Sequence, residues 1–345
     1  MTTIPPNLLD EVSRLALVGV AKNCGKTTTL NFLLGSPACA DRCVGLVSIG
    51  IDGESADLLI GTKKPPIHVK RGHWIVTARD ALAKSTARVE YVESLGFSTP
   101  LGEVLVGRVI EEGTVVLAGV RHRGDLRKGI DVLEKHGVDL VLIDGAYGRT
   151  VAAKAELSDA LIVSTGAVLS SDVDEICART AQLVDRLALA EVEEDWQREL
   201  LGEAISQDRS LLGGQGVEPV ELPSKSALLG LKRAGALWTE EIEAIAIPGL
   251  VSDSVVEHLL AVTGKGRMLL VPDGTVLQAS ARRLGRLERR WQVRALQPAR
   301  ILALSINPSG IQGHRVDAAA LAHKLRERWP QICVFNPLHS AAAHA

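Results

Sequence analysis

The sequence predicts an α/β protein, with a mainly parallel β-sheet carrying helices on both faces and a smaller α/β domain after it. In the first half of the chain, short β-branched apolar runs alternate with longer stretches of helical spacing. The runs are apolar at consecutive positions, which is typical of strands buried between two helix layers. After Leu189 the composition changes to a charged segment and then to a stretch rich in Gly, Pro and Ser, which indicates a connector between domains.

The strands of the first domain are predicted from the apolar runs themselves. Trp74–Thr77 has the weakest pattern, because Val106–Ile110 is an equal candidate for a strand near an edge of the sheet. The candidate strands are Leu15–Val20, Val44–Ile51, Trp74–Thr77, Thr114–Ala118, Leu140–Ile143 and Leu161–Ser164.

The change in composition predicts the domain boundaries. The first domain covers residues 1–190, a charged helix and linker cover 191–225, and the smaller α/β domain covers 226–345. The last domain contains candidate strands at 244–251, 268–271, 301–306 and 332–335, and candidate helices near 254–262 and 317–328. The basic stretch Arg282–Arg294 predicts an amphipathic helix, either solvated or in contact with an acidic partner surface.

Composition and charge exclude several classes of protein. The net charge of −2 gives no electrostatic case for a nucleic-acid or an anionic-membrane partner. No uncharged apolar run approaches the ~18 residues of a membrane span, and the N-terminus does not resemble a secretory signal. The cysteines are scattered without zinc-like spacing, as expected of reduced thiols. We therefore expect a cytoplasmic protein.

The stretch LVGVAKNCGKTTTLNF, residues 17–32, nearly matches the phosphate-binding consensus G-x-x-x-x-G-K-[ST]. Gly25, Lys26 and Thr27 supply its last three places. Val20 stands where the first glycine is expected, and Gly19 lies one residue too early. The stretch follows a predicted strand and precedes a predicted helix, which is the context that the motif requires.

The chemistry of such a loop predicts a site for a nucleotide and Mg²⁺ on a P-loop NTPase-like sheet. Backbone N–H groups around Asn23–Lys26 would surround a phosphate at the start of a helix, where unsatisfied donors favour an anion. The Lys26 ammonium would reach the β- and γ-phosphates, and the Thr27 hydroxyl would ligate Mg²⁺. The candidate nucleotide-binding residues are Lys22, Asn23, Cys24, Gly25, Lys26, Thr27 and Thr28. Lys22 loosely resembles the second lysine of the dimeric P-loop class, and a solvated lysine is the open alternative.

Two carboxylates are candidate metal-binding and catalytic residues beside Lys26. The strand Leu140–Ile143 runs directly into Asp144, which has the pattern of a Walker B acid next to Mg²⁺. Asp52 ends the predicted strand after the loop helix and could contact the metal or the attacking group, with Glu54 sharing that work. The alternative for Asp52 is an ordinary Asp-Gly turn.

Other polar residues are predicted at the same edge of the sheet. They are the TPLGE stretch at 99–103, Arg149, and Thr165 with Gly166 at the end of the Leu161 strand. Each is structural more often than functional when it is considered alone.

The ordered set of motifs resembles the P-loop subunit of the lysine 5,6-aminomutase reactivase, the KamB-like family. The shared segments are AKNCGKTTTLN, SIGIDGE, STPLGEVLVGRVIEEGTVVLAG, LVLIDGAYGR, DALIVSTGAVLSSDVDEI and ALSINPSGIQGHRVDA. One departure is Cys24, where the family leads us to expect Ser, and a thiol is the weaker donor.

The resemblance implies a function that the residues alone do not state. It implies an ATPase subunit that acts with a MutS-related ATPase partner to release damaged cobalamin from an adenosylcobalamin-dependent aminomutase. Gly25, Lys26 and Thr27 would hold ATP·Mg²⁺, Asp144 would be the Walker B acid, and Asp52 would be an additional catalytic or metal-binding carboxylate. Residues 52–57 and TPLGE are candidate switch segments, and Asn307–Gly310 is a candidate for partner contact.

Two other functions fit the loop. One is a free-standing P-loop small-molecule kinase or ligase of the dethiobiotin-synthetase type, and the other is a nucleotide-gated binding module. The stretch 120–190 shows no arginine-rich lid apart from Arg121, Arg123 and Arg127, which disfavours a nucleoside-type kinase. No N-K-x-D motif decides between ATP and GTP.

Overall fold

The computed structural model describes residues 4–49, 65–145, 156–264, 266–311 and 313–340. The chain divides into two compact units. The first consists of residues 1–181 and 300–345, and the second of residues 182–299.

A large sheet forms the centre of the first unit. In the described ranges it has nine strands in the order β17-β16-β9-β1-β8-β2-β4-β6-β5. The seven strands from β17 to β4 are parallel, and β6 and β5 add an antiparallel hairpin at one edge. A separate antiparallel pair is formed by β3 and β7. The strands are β1 (Arg14–Gly19), β2 (Val44–Ile49), β3 (Ile67–Val69), β4 (Trp74–Ala78), β5 (Arg88–Thr99), β6 (Gly102–Glu111), β7 (Gly113–Val115), β8 (Leu140–Gly145), β9 (Ala160–Gly166), β16 (Ile301–Asn307) and β17 (Cys333–Phe335).

Helices flank this sheet on both faces. Successive side chains of a strand point to opposite faces. Leu46 of β2 belongs to the apolar cluster that contains Leu30 and Leu33 of the first helix. A Cβ on the neighbouring Gly45 would lie 3.0 Å from Leu133 of the third helix, so that helix covers the other face. The helices are α1 (Lys26–Leu34), α2 (Arg79–Leu82), α3 (Arg123–Lys135), α4 (Val173–Leu187, which crosses the boundary between the units), α9 (Ala318–Arg328) and α10 (Pro337–Ser340).

The second unit is a smaller α/β structure around its own sheet. Its described residues form six strands in the order β10-β15-β14-β13-β11-β12, of which β10, β15, β14 and β13 are parallel. Leu269 and Val271 of β14 lie in its core with Val256 and Leu259 of the helix before that strand. The elements are β10 (Ala190–Glu191), α5 (Asp195–Gln207), β11 (Leu211–Gly213), β12 (Val220–Glu221), α6 (Ala227–Arg233), β13 (Ala244–Ala246), α7 (Asp253–Ala261), β14 (Arg267–Val271), α8 (Ala281–Glu288) and β15 (Trp291–Ala295).

The α/β prediction with a large, mainly parallel sheet is confirmed, but the predicted domain limits differ from the structure. Residues 301–335 do not belong to a C-terminal domain at 226–345, because β16 pairs with β9 from Ile301 to Asn307, with one register shift, and β17 pairs with β16. The predicted linker 191–225 contains β10, α5, β11 and β12 of the second unit. The small domain is therefore an insertion between two segments of the large one.

Two element predictions are also corrected. The stretch Arg282–Arg294 is not one helix, because α8 ends at Glu288 and β15 begins at Trp291, where the side chains alternate instead of following a helical face. The run Thr114–Ala118 is not a strand of the large sheet, since β7 covers only Gly113–Val115 and pairs with β3. Trp74–Thr77 and Val106–Ile110 are both strands, and they are neighbours in β4 and β6.

No helix in the described part of the chain is long and apolar enough to cross a membrane.

Candidate functional site

The glycine loop, defined here as residues 19–25, lies at the carboxyl edge of the large sheet. It connects β1, whose neighbours are β8 and β9, to α1. Gly19 ends β1 opposite Ser164 of β9, and the amide of Val20 donates a 3.0 Å hydrogen bond to the Ser164 carbonyl. Open parallel sheets bind ligands outside the carboxyl ends of their strands. The loop thus occupies the position in the fold where a ligand site is expected.

Backbone conformation turns the loop into the start of a helix. Asn23 and Gly25 have φ angles of 63° and 102°, which lie in the left-handed region that favours glycine and tolerates asparagine. Gly25 is the N-cap of α1; within the described residues, no side chain caps this helix and no acidic residue lies in its first turn. The first amides of α1 and the positive end of its dipole are therefore available to an anion.

The Lys26 side chain folds back across the glycine loop. A Cβ built on Gly19 would lie 3.0 Å from the Lys26 Nζ and 2.5 Å from the Cys24 Sγ. The ammonium therefore lies beside the end of β1, inside the curve of the loop, where it can neutralise a bound phosphate. The same distances explain why glycine is needed at position 19.

The Cys24 thiol fills the interior of the glycine loop. Its side chain is buried, and burial raises the pKa of the thiol, against the opposing influence of the Lys26 charge and nearby backbone groups. The group therefore stays neutral at physiological pH. As a predicted binding residue, Cys24 can contribute its backbone amide but not an exposed side chain.

Three buried hydroxyl groups anchor the first turn of α1 to the sheet. This hydroxyl cluster consists of Thr29 of α1, Ser164 of β9 and Ser305 of β16. The Thr29 Oγ1 lies 2.7 Å from the Ser305 Oγ, and the Ser305 hydroxyl lies 2.8 Å from the Ser164 Oγ. Thr29 also donates a 3.0 Å hydrogen bond to the Gly25 carbonyl. Because each of these buried polar groups is paired, the cluster fixes the position of the loop end.

Asp144 lies next to the glycine loop in the sheet. It is half-buried near the end of β8, in register with Leu17 of β1 and Ser48 of β2. A carboxylate at this position has the chemistry that Mg²⁺ prefers, since Mg²⁺ in nucleotide sites is held by one or two carboxylates and by phosphate oxygens. In the described ranges, no group of three or more His, Cys, Asp or Glu side chains could hold a metal by itself. The residues present fit a metal ion that is held partly by Asp144 and partly by the oxygen atoms of a bound phosphate. Asp52, Glu54 and Arg149 lie outside the described residues.

Asn307 at the end of β16 is a wall of the site that the sequence interpretation assigned to partner contact. A Cβ on Gly25 would lie 3.1 Å from the Asn307 Cβ and 3.6 Å from its Nδ2. The Asn307 Oδ1 accepts a 3.2 Å hydrogen bond from the Ser309 amide, so the Nδ2 is the end directed toward the loop. The neighbouring strand β9 ends at Gly166, where a Cβ would lie 1.9 Å from the Asn307 carbonyl oxygen. The NPSG turn was singled out from the sequence. Its contact with Gly25 was missed, because the two segments are far apart in the chain.

Some of the remaining predicted residues lie in or near the glycine loop, and others do not. Lys22, Thr27 and Thr28 are half-buried in the loop and the first turn of α1. Thr165 is buried, and its hydroxyl lies 2.6 Å from that of Thr180 in α4, so it faces a helix. The TPLGE stretch is the turn between β5 and β6, and it lies at the same edge because Ala78, the end of β4, pairs with Val104.

No protein-family model matches the chain, and no curated protein is significantly similar to it in sequence.

Proposed function

We propose that this chain is an ATP- and Mg²⁺-binding P-loop subunit of a reactivating complex that restores a damaged adenosylcobalamin-dependent aminomutase. The nucleotide part of the proposal depends on one observation. The left-handed Gly25, the uncapped start of α1 and the folded-back Lys26 meet at the carboxyl edge of a parallel sheet, beside Asp144. These are the groups that hold a phosphate chain and its metal in P-loop proteins.

Each residue has a distinct part in this proposal. The amides at the start of α1 bind phosphate oxygens, and the Lys26 ammonium neutralises the β- and γ-phosphates. The Thr27 hydroxyl and the Asp144 carboxylate orient Mg²⁺, and the Asn307 amide donates from the side of β16. Bound ATP·Mg²⁺ would supply a γ-phosphate whose loss releases the loops around it, the usual order–disorder switch of such proteins.

The biological part of the proposal has a different basis. It comes from the motif resemblance to the lysine 5,6-aminomutase reactivase, with a MutS-related ATPase as the partner. One observation disfavours a nucleoside-type kinase: Arg123 and Arg127, two of the three arginines considered for a lid, form exposed ion pairs with Glu156 and Asp131.

Calorimetric titration with ATP tests the nucleotide site. Lys26→Ala should abolish measurable ATP binding, whereas Lys84→Ala, which removes an exposed lysine of the same unit, should leave the affinity within about twofold. Asp144→Asn should retain ATP binding without metal but lose its enhancement by Mg²⁺. Unchanged affinity in Lys26→Ala would refute the site.

A reactivation assay tests the biological role. Inactivated lysine 5,6-aminomutase should recover activity when it is mixed with this chain, the MutS-related subunit, ATP and fresh adenosylcobalamin, and it should not recover with Lys26→Ala. Rapid phosphorylation of a small metabolite by the isolated chain would instead support the kinase or ligase alternative.

A further inference from the structure

The second unit contains a cavity of about 390 Å³ where α7 and α8 begin. Its lining consists of Asp253, Ser280, Arg282, Arg283 and Arg286. Since α7 follows β13 and α8 follows β14, the cavity lies at the carboxyl edge of parallel strands, where open sheets bind ligands. The loops that carry it are joined by a parallel bridge between residues 251 and 277.

The charges around the cavity are unevenly matched. Arg283 forms an ion pair with Asp253 at 2.8 Å and a second one with Glu257. Hydrogen bonds from the Ser280 backbone and side chain and from Arg283 lower the pKa of Asp253, so this carboxylate is ionised and engaged. By contrast, Arg282 and Arg286 form no ion pair with any described side chain. Arg282 and Arg286 therefore line the cavity without an ion-pair partner of their own among the described side chains.

The imbalance belongs to the basic stretch that begins at Arg282. The whole chain has a net charge of −2, so general basicity of the surface does not account for it. An arginine fork matches the oxygen atoms of phosphate in a bidentate manner, which a lysine ammonium cannot do. The volume falls in the range of about 300–1,000 Å³ that is common for small-molecule pockets, which favours a small ligand over a segment of a protein partner.

We propose that this cavity binds a small phosphate-bearing ligand through the guanidinium groups of Arg282 and Arg286. The site is separate from the glycine loop and belongs to the second unit, so it does not depend on the proposed ATPase function. Arg283 holds Asp253 against Ser280 and thereby keeps the cavity wall in place.

The test uses the full chain with Lys26→Ala, so that the glycine loop does not contribute, and inorganic pyrophosphate as the probe without Mg²⁺. Calorimetry should show binding at one site. Arg282→Ala with Arg286→Ala should weaken the affinity at least tenfold. Arg282→Lys with Arg286→Lys retains the charge and should give an intermediate loss. Arg289→Ala removes an exposed arginine just after α8, outside the cavity lining, and should stay within twofold.

Circular dichroism of each variant verifies that the unit remains folded, as expected because Arg282 is exposed. No binding of pyrophosphate to the starting protein would overturn the proposal, as would equal affinity in the double alanine variant. Succinate that binds as tightly as pyrophosphate, with the same loss in the variants, would overturn the assignment to phosphate.

Discussion

Replacing Gly19 by alanine tests whether the end of β1 and the glycine loop form one tightly packed unit. The new Cβ would lie 2.5 Å from the Cys24 Sγ, 2.9 Å from the Ala21 carbonyl oxygen and 3.0 Å from the Lys26 Nζ. Carbon atoms in favourable contact are about 3.5–4.0 Å apart, so at least two of these groups must move. Overpacking of this kind destabilises a folded protein by ~1–3 kcal/mol. Because Lys26 is among the displaced groups, we also expect ATP affinity to fall at least tenfold.

Scanning calorimetry of the full chain measures the stability effect, and titration with ATP measures the binding effect. A matched control is Gly202→Ala in α5, where a Cβ would meet no atom within 4 Å. This control should be neutral or stabilising by up to ~1 kcal/mol, because alanine is the better helix former.

A double variant separates the contacts at Gly19. Adding Cys24→Ala to Gly19→Ala removes the nearest atom and should recover part of the lost stability, which appears as coupling between the two substitutions. Gly19→Ala with wild-type stability and ATP affinity would refute the packing argument, and strictly additive effects would exclude the sulfur as the clashing group.

Three further outcomes are expected. Thr29→Val keeps the shape of the side chain but breaks the hydroxyl cluster. The free energy of unfolding measured by calorimetry should fall by about 1–3 kcal/mol, and a fall of less than ~0.5 kcal/mol would contradict the role of the cluster. Gly166→Ala places a methyl group 1.9 Å from the Asn307 carbonyl oxygen and should separate β9 from β16, with faster amide exchange on both strands; unaltered exchange would argue against this close approach. Burial acts to raise the pKa of Asp159, but hydrogen bonds from Arg14 and the backbone of Ser13 hold it below its usual value. Its stabilising contribution is therefore present above about pH 4 and lost as pH falls through the lowered pKa, so thermal midpoints of Asp159→Asn should depend less on pH between 4 and 2 than those of the wild type, and parallel curves would contradict this.

The central strands could be predicted because strands buried on both faces are apolar at consecutive positions, and the sequence shows such runs. Leu140–Ile143 is apolar at every position, and β8 extends it by only Asp144 and Gly145. The hairpin of β5 and β6 was harder to see, because β5 is exposed or half-exposed at most positions and follows no strict alternation. Its pairing also shifts register at several points, which weakens any period-2 pattern.

The loop itself was predictable from sequence, but its surroundings were not. The GKT motif is local, and its function as the start of a helix follows from neighbouring residues. The hydroxyl cluster joins Thr29 to Ser305, which are 276 positions apart, and no local pattern reports that contact. The same holds for Asn307, since the side of the sheet on which β16 pairs is decided by long-range packing.

The insertion of the second unit has a consequence for how the site is formed. Every residue of β9 from Ala160 to Gly166 is buried, between β1 on one side and β16 on the other. A chain cut at residue 190, the predicted domain boundary, would lose β16, which supplies Ser305 to the hydroxyl cluster and Asn307 to the wall beside Gly25. It would also expose the β9 edge, a row of unpaired backbone groups on an apolar strand that is prone to aggregate. We therefore expect residues 1–190 alone to be insoluble or non-cooperative in unfolding, whereas a chain in which a short linker replaces residues 182–299 should fold and bind ATP. ATP affinity of the 1–190 fragment equal to that of the full chain would show that the C-terminal strands are not part of the site.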